Sequence, residues 1–279
     1  IIGGDSDTDF GAPITLVAGA SRGHQMPGAD VSVSSGTSLS GASGSINLFT
    51  PGAPAGRSGG LNMYTGAAGQ GNSGDISVAT GTSASGAGGS IYLQPGDAYS
   101  STSPAGNVRI AGGGVRATYG AGGQVIIVGG DGYNNDNTNG GNGGDVNVAG
   151  GRAYGLGTTD VGGTVNIDGG SADFATGGAL NLRSGRSLVT KSGSIILSSA
   201  DSPRTGDVFL SSGSSSAGAS GDVTLSSGAA TGGSAGKITF VGGATDTGAG
   251  SGIFLTAGAT SDSAAPGGDV VMSSGIGSL

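Results

Sequence analysis

"SGDVTLSSGAATGGSAGKITFVGG", residues 220–243, sets Val223 and Leu225 two apart, passes through Ser and Gly, crosses a run of Gly, Ala, Ser and Thr, and begins again at Ile238 and Phe240. Large apolar residues at a spacing of two mark a short strand with one buried face, because successive side chains of an extended chain point to opposite sides. The small residues around them read as corners and return segments.

The same unit runs along the whole chain. Taking the first aliphatic of each repeat as its lead, the leads fall at Ile14, Val31, Ile46, Leu61, Ile76, Ile91, Val108, Val125, Val146, Val165, Leu180, Ile195, Val208, Val223, Ile238, Ile253 and Val270. Every lead is followed two residues on by a second large apolar residue, from Leu16 to Met272. Five residues after the lead stands Gly, except at Pro51 and Ala200; two residues before it stands Gly, except at Ala12, Ala29 and Ser251. Glycine at fixed corners serves a chain that must take positive φ or admit a close backbone.

The spacings between leads are 17, 15, 15, 15, 15, 17, 17, 21, 19, 15, 15, 13, 15, 15, 15 and 17, all odd. A flattened coil with a front strand and a back segment keeps its parity when one residue is added on each side, whereas a single insertion would turn inward side chains outward. Two buried aliphatics per repeat cannot offset the entropy of ordering some fifteen residues, so one coil would need its neighbours. The expected fold is therefore all-β: a parallel β-solenoid, or flattened β-helix, of about 17 coils, mostly 15 residues each, with Gly-rich turns. Residues 1–279 read as one continuous array. Ile1-Ile2-Gly3-Gly4 aligns with Ile127-Val128-Gly129-Gly130 and no capping repeat is visible, so an interior window of a longer chain is expected.

Composition narrows the function. Gly supplies 66 of 279 residues, all 18 acidic residues are Asp, and only Lys191 and Lys237 represent lysine, which leaves few helix formers. No Cys is present, so disulfides and thiolate metal sites are excluded. The net charge of −8 argues against a phosphate-tracking groove and hence against nucleic acid. No apolar run is long enough to predict a membrane span.

Catalytic chemistry finds little support. His24, the single histidine, lies in "SRGHQMPG" between the first two repeats, with no nucleophile elbow nearby, and reads as a solvated loop residue. G-x-G-x-x-G look-alikes lack the helix whose N-terminus would hold a phosphate, so no cofactor is expected. The longest insertion, "DGYNNDNTNG" at 131–140, offers oxygen ligands for a hard cation at Asp131, Asn134 and Asp136. Asn/Asp clusters are also ordinary turn formers, and the metal expectation is none, with this as the weak calcium candidate. Asp recurs just before the lead (Asp30, Asp75, Asp145, Asp207, Asp222, Asp269), but only Asp207 and Asp222 belong to adjacent repeats, so these also read as turn residues.

The residue between the two core apolars faces the other way. Asn147, Asn166 and Asn181 occupy it in consecutive repeats, as do Asn47 and Asn62, which suggests stacked Asn ladders. Ile196 with Phe209, and Phe254 with Val271, place large apolar side chains there, more than solubility requires, and these four are the candidate lateral interface.

The unit G-[SD]-[VI]-x-[LV]-x-[ST]-G resembles the long Gly/Ser-rich repeat arrays of extracellular surface and fibre proteins, those of algal cell surfaces and of phage tail fibres. The resemblance covers the whole chain and implies an extracellular or surface-attached location; it carries over no functional residue. The leading expectation is a structural protein, not an enzyme: a rod that builds or decorates an extracellular filament by self-assembly with identical or similar chains. The runner-up is an adhesin or tail-fibre shaft that binds a receptor or a surface glycan through its insertions. An ice-binding solenoid is the second alternative, though the outward series Thr15, Ser32, Asn47, Asn62, Ser77, Tyr92, Arg109 and Ile126 lacks the regular small-residue grid that such a face needs.

Overall fold

A computed structural model describes residues 1–7, 10–23, 26–100, 102–134, 136 and 140–276. Among these there is no helix and no β-strand, and no residue is buried. This overturns the expected β-solenoid. The repeat is real in space, but it organises the chain through necks and loops instead of stacked strands.

The necks arise where each repeat ends. The residue five after one lead turns its carbonyl to the N–H of the residue two before the next lead: Gly44 N donates to Gly36 O at 2.9 Å, Gly123 N to Gly113 O at 2.8 Å, Gly178 N to Gly170 O at 2.7 Å and Gly268 N to Gly258 O at 2.9 Å. Among the described residues eleven loops close in this way, while those at 66–74, 200–206, 213–221 and 228–236 have no such bond. At two further necks a hydroxyl substitutes, with Thr50 Oγ1 donating to Gly59 O at 3.1 Å and Thr80 Oγ1 to Gly89 O at 3.2 Å. The short apolar segments between necks, 222–226 for instance, make no backbone hydrogen bond within the chain. These residues are exposed, and water is the partner left to their N–H and C=O groups.

The physical reason for the missing ladder lies in the return segments. A stable sheet needs several strands sharing an apolar face, and the return segments, mostly Gly, Ala, Ser and Thr, do not cover the rungs: their few large side chains, such as Leu39, Tyr99, Leu156 and Phe174, are themselves fully exposed. The Asn ladders fail with it: the side chains of Asn47, Asn62, Asn147, Asn166 and Asn181 make no hydrogen bond among the described residues.

Glycine at the neck serves close approach. A Cβ on Gly112, Gly129, Gly150 or Gly169 would overlap the carbonyl of Gly123, Gly144, Gly163 or Gly178 across the neck. Where the first partner carries a side chain, the second makes room: a Cβ on Gly89 would lie 3.1 Å from Thr80 Cβ, and one on Gly106 would lie 2.9 Å from Pro95 Cβ. Size is compensated across the pair, since Ala12 and Ser251, two of the three non-glycines on one side, face Gly3 and Gly242 on the other. Positive φ is used elsewhere, at Gly71 (85°), Gly218 (139°), Gly248 (104°) and Tyr119 (63°), all inside loops. Close approach therefore accounts for most glycines two before the lead and for Gly112, Gly129, Gly150 and Gly169 four after it, whereas the glycines five after the lead, Gly243 apart, leave open space where a Cβ would sit.

Odd spacing fits neck closure. A loop that leaves and returns at one point has two legs, and lengthening both by one residue adds two. In the longest loop, closed by Gly144 N on Gly130 O at 2.8 Å, the legs run side by side: Gly132 lies against Gly141, and Gly141 N donates to Asn134 O at 3.0 Å. Smaller turns finish the loop tips, as where Gly41 N and Gly86 N donate to Ser38 Oγ and Ser83 Oγ, each at 2.9 Å.

The chain divides into two compact units, Ile1–Val146 and Asn147–Leu279, each built from the same repeat. The first contains the loop at 130–144; the second contains the shortest segment between apolar pairs, Ala200 to Gly206, which no neck hydrogen bond closes.

Candidate assembly surface

Every large apolar side chain of the described residues remains on the surface. The accessible area is 27503 Å². A folded monomer of 25.8 kDa would expose roughly 10,500 Å² and its extended chain roughly 37,000 Å². The chain on its own thus hides only about a quarter of what it could.

Exposure is nonetheless graded along the repeat. The most covered positions are neck residues four after the lead, such as Ala18, Pro95, Gly129, Ser184, Gly242 and Ala257, and among the large apolar side chains the leads are the least open, Ile238 and Val165 at 44%. The residue between the two apolars is more open: Ile196, Phe209, Phe254 and Val271 are 85, 87, 92 and 81% exposed. In 253–255 the order is 53, 92 and 67%, an alternation of period two. At 270–272 it breaks, Met272 being as open as Val271.

Period two also assigns residues that sequence reasoning left out. Val17, Phe49, Tyr64, Val128 and Val241 stand three after their leads, on the same side as the residue one after. All five are largely exposed. The signal was present in the spacing, two residues beyond the outward position, but attention to the single middle residue hid it. The aspartates that precede leads share this parity, so Asp207 accompanies Phe209 and Asp269 accompanies Val271. Before Phe254 the corresponding residue is Gly252, and the Phe254 ring lies across it, with Cε2 and Cζ 3.0 Å from where a Cβ would sit. A larger residue at 252 would push that ring away.

The weak calcium candidates are engaged in turn chemistry. Tyr133 Oη donates to Asp131 Oδ2 at 3.0 Å, and Asp136 N donates to Asn134 Oδ1 at 3.0 Å. No group of three or more His, Cys, Asp or Glu side chains converges among the described residues, and no cavity opens among them. Asn135 and residues 137–139 of that insertion, and His24, lie outside the described residues. No described helix is long and apolar enough to cross a membrane. No family model, curated protein or solved structure matches this chain.

Proposed function

We propose that this chain is a structural protein that assembles with copies of itself into an extracellular or surface-attached filament. The observation that carries the reading is the coreless chain: seventeen apolar pairs at a spacing of two, none of them buried, in a chain that exposes about 2.6 times the area of a folded monomer of its mass. Large apolar side chains exposed in that number drive association. The excess, on the order of 17,000 Å², is about ten standard-size interfaces. A small globular partner would cover a fraction of it, whereas a repeating partner of the same periodicity would meet every segment. The outward residues Ile196, Phe209, Phe254 and Val271, with Val17, Phe49, Tyr64, Val128 and Val241, are the side chains assigned to lateral contact. The extracellular setting is supported by the resemblance of the unit to Gly/Ser-rich surface and fibre arrays.

Sedimentation and electron imaging of the purified native protein test the reading. Filaments or large assemblies are expected, and replacing Phe209 and Phe254 together by Ser should loosen side-by-side bundling. A chain that stays monomeric at high concentration overturns the proposal.

A further inference from the structure

We propose that Tyr133 is a site of oxidative phenol coupling, with Asp131 as the acceptor of its proton. All six tyrosines are exposed: Tyr64, Tyr92, Tyr99, Tyr119, Tyr133 and Tyr154 at 84, 87, 97, 103, 88 and 80%. The chain has no Cys and two Lys, so the tyrosines are its most abundant side chains able to form a covalent link under oxidation. What separates Tyr133 from the rest is its hydrogen bond to a carboxylate oxygen, 3.0 Å away.

The chemistry follows from that contact. A phenol that loses one electron becomes a strong acid and must release its proton as it is oxidised. A carboxylate at hydrogen-bond distance is placed to take it, the same geometric requirement that a general base meets. The oxidant is a haem peroxidase with hydrogen peroxide. Each of two phenols gives one electron to it; the Tyr133 proton passes to Asp131 Oδ2 and on to solvent. The two phenoxyl radicals join by a carbon–carbon bond ortho to the oxygens, and the two ring hydrogens move to those oxygens and restore the phenols. One peroxide becomes two waters, which balances two electrons and two protons.

The loop holds the pair in place. Asp131 and Tyr133 stand two apart on one leg, either side of Gly132, whose backbone lies against Gly141 on the other leg. The neck at Gly130 and Gly144 closes the same loop. Tyr154 is set up oppositely: the Arg152 guanidinium carbon lies 4.9 Å from its ring centroid, and a cation over the ring disfavours loss of an electron. Tyr99 is as open as Tyr133 but has no carboxylate partner, which makes it an internal reference.

The test exposes the whole chain to a haem peroxidase, hydrogen peroxide and an excess of N-acetyltyrosine amide, and follows adducts at each tyrosine by peptide mass spectrometry. Tyr133 should gain the adduct several-fold faster than Tyr99, and Tyr154 should be slowest. Asp131→Asn should bring Tyr133 down to the Tyr99 rate without changing Tyr99, and Asp131→Glu should restore part of the advantage. A Tyr133 rate no higher than that of Tyr99, or one unmoved by Asp131→Asn, overturns the proposal. Adduct formation needs no second copy of the chain, so the site stands apart from the assembly reading. Adducts at Tyr133 without cross-linked dimers, when the small phenol is left out, uphold the site and count against assembly at this loop.

Discussion

Gly150 and Gly151 are neighbours in sequence, yet the neck treats them differently. A Cβ on Gly150 would overlap the Gly163 carbonyl, while one on Gly151 meets nothing within 4 Å. Gly151 also supplies the carbonyl that accepts from Gly163 N at 2.8 Å. In Gly150→Ala the Gly163 peptide must move away, and the bond that closes the loop is lost. Such a bond contributes about 1 kcal/mol net, so the closed neck should lose about fivefold in population. Gly151→Ala adds a methyl in open space at a φ outside the left-handed region and should leave the neck closed, with a slight gain from the narrower unfolded ensemble. Amide hydrogen exchange at Gly163, read by NMR, separates the two. Faster exchange in Gly150→Ala alone is expected. Equal exchange in both variants would refute the claim that glycine is required at the first position of the neck for close approach.

The same logic yields a reciprocal test. Gly242→Ser should open the neck at 243–251, where Ser251 N and Ser251 Oγ donate to Gly243 O at 3.2 and 3.0 Å. Adding Ser251→Gly recreates the Ser-opposite-Gly neck found at Ser184 and Gly193 and should restore protection of the residue 251 amide; independent, additive effects in the double-mutant cycle would count against size compensation. Val223→Asp and Leu225→Asp place a charge at positions that are 56 and 61% exposed, so the isolated chain should keep its necks, whereas assembly measured by sedimentation should fall; Thr224→Ser should alter neither. Assembly unmoved by Val223→Asp would show that the segment takes no part in it.

The period of the chain was legible from Val223 and Leu225 outward, and the two corner positions were legible as glycines. What those corners do was not. A period of two says that side chains alternate; it does not say that a backbone partner lies alongside, because that depends on whether the intervening residues can cover the apolar rungs. Gly, Ala, Ser and Thr cannot. The telling position was one earlier than the corner: the residue four after each lead is always Gly, Ala, Ser, Thr or Pro, and at most necks it faces the residue two before the next lead. Reading the two positions together would have shown a pair closing a loop. The hydrogen bond between Tyr133 and Asp131 was not legible, since a spacing of two puts both side chains on one side of an extended leg but does not say that they touch, and Asp97 and Tyr99, equally spaced, make no such bond.

Neck closure also explains how the chain tolerates spacings from 15 to 21 residues without losing its repeat. If a loop begins and ends at one hydrogen bond, its length does not set where the next apolar segment starts. Lengthening a closed loop costs only about 0.6 kcal/mol of closure entropy per doubling. The segments can therefore keep one pattern while the loops diversify, and the longest loop is where the chain gathers Asp131, Tyr133, Asn134 and Asp136. Chemistry accumulates where length is free. On this reasoning, a substitution at Tyr133 or Asp131 should change coupling at the 130–144 loop and leave the Gly163 amide, at the following neck, exchanging as before.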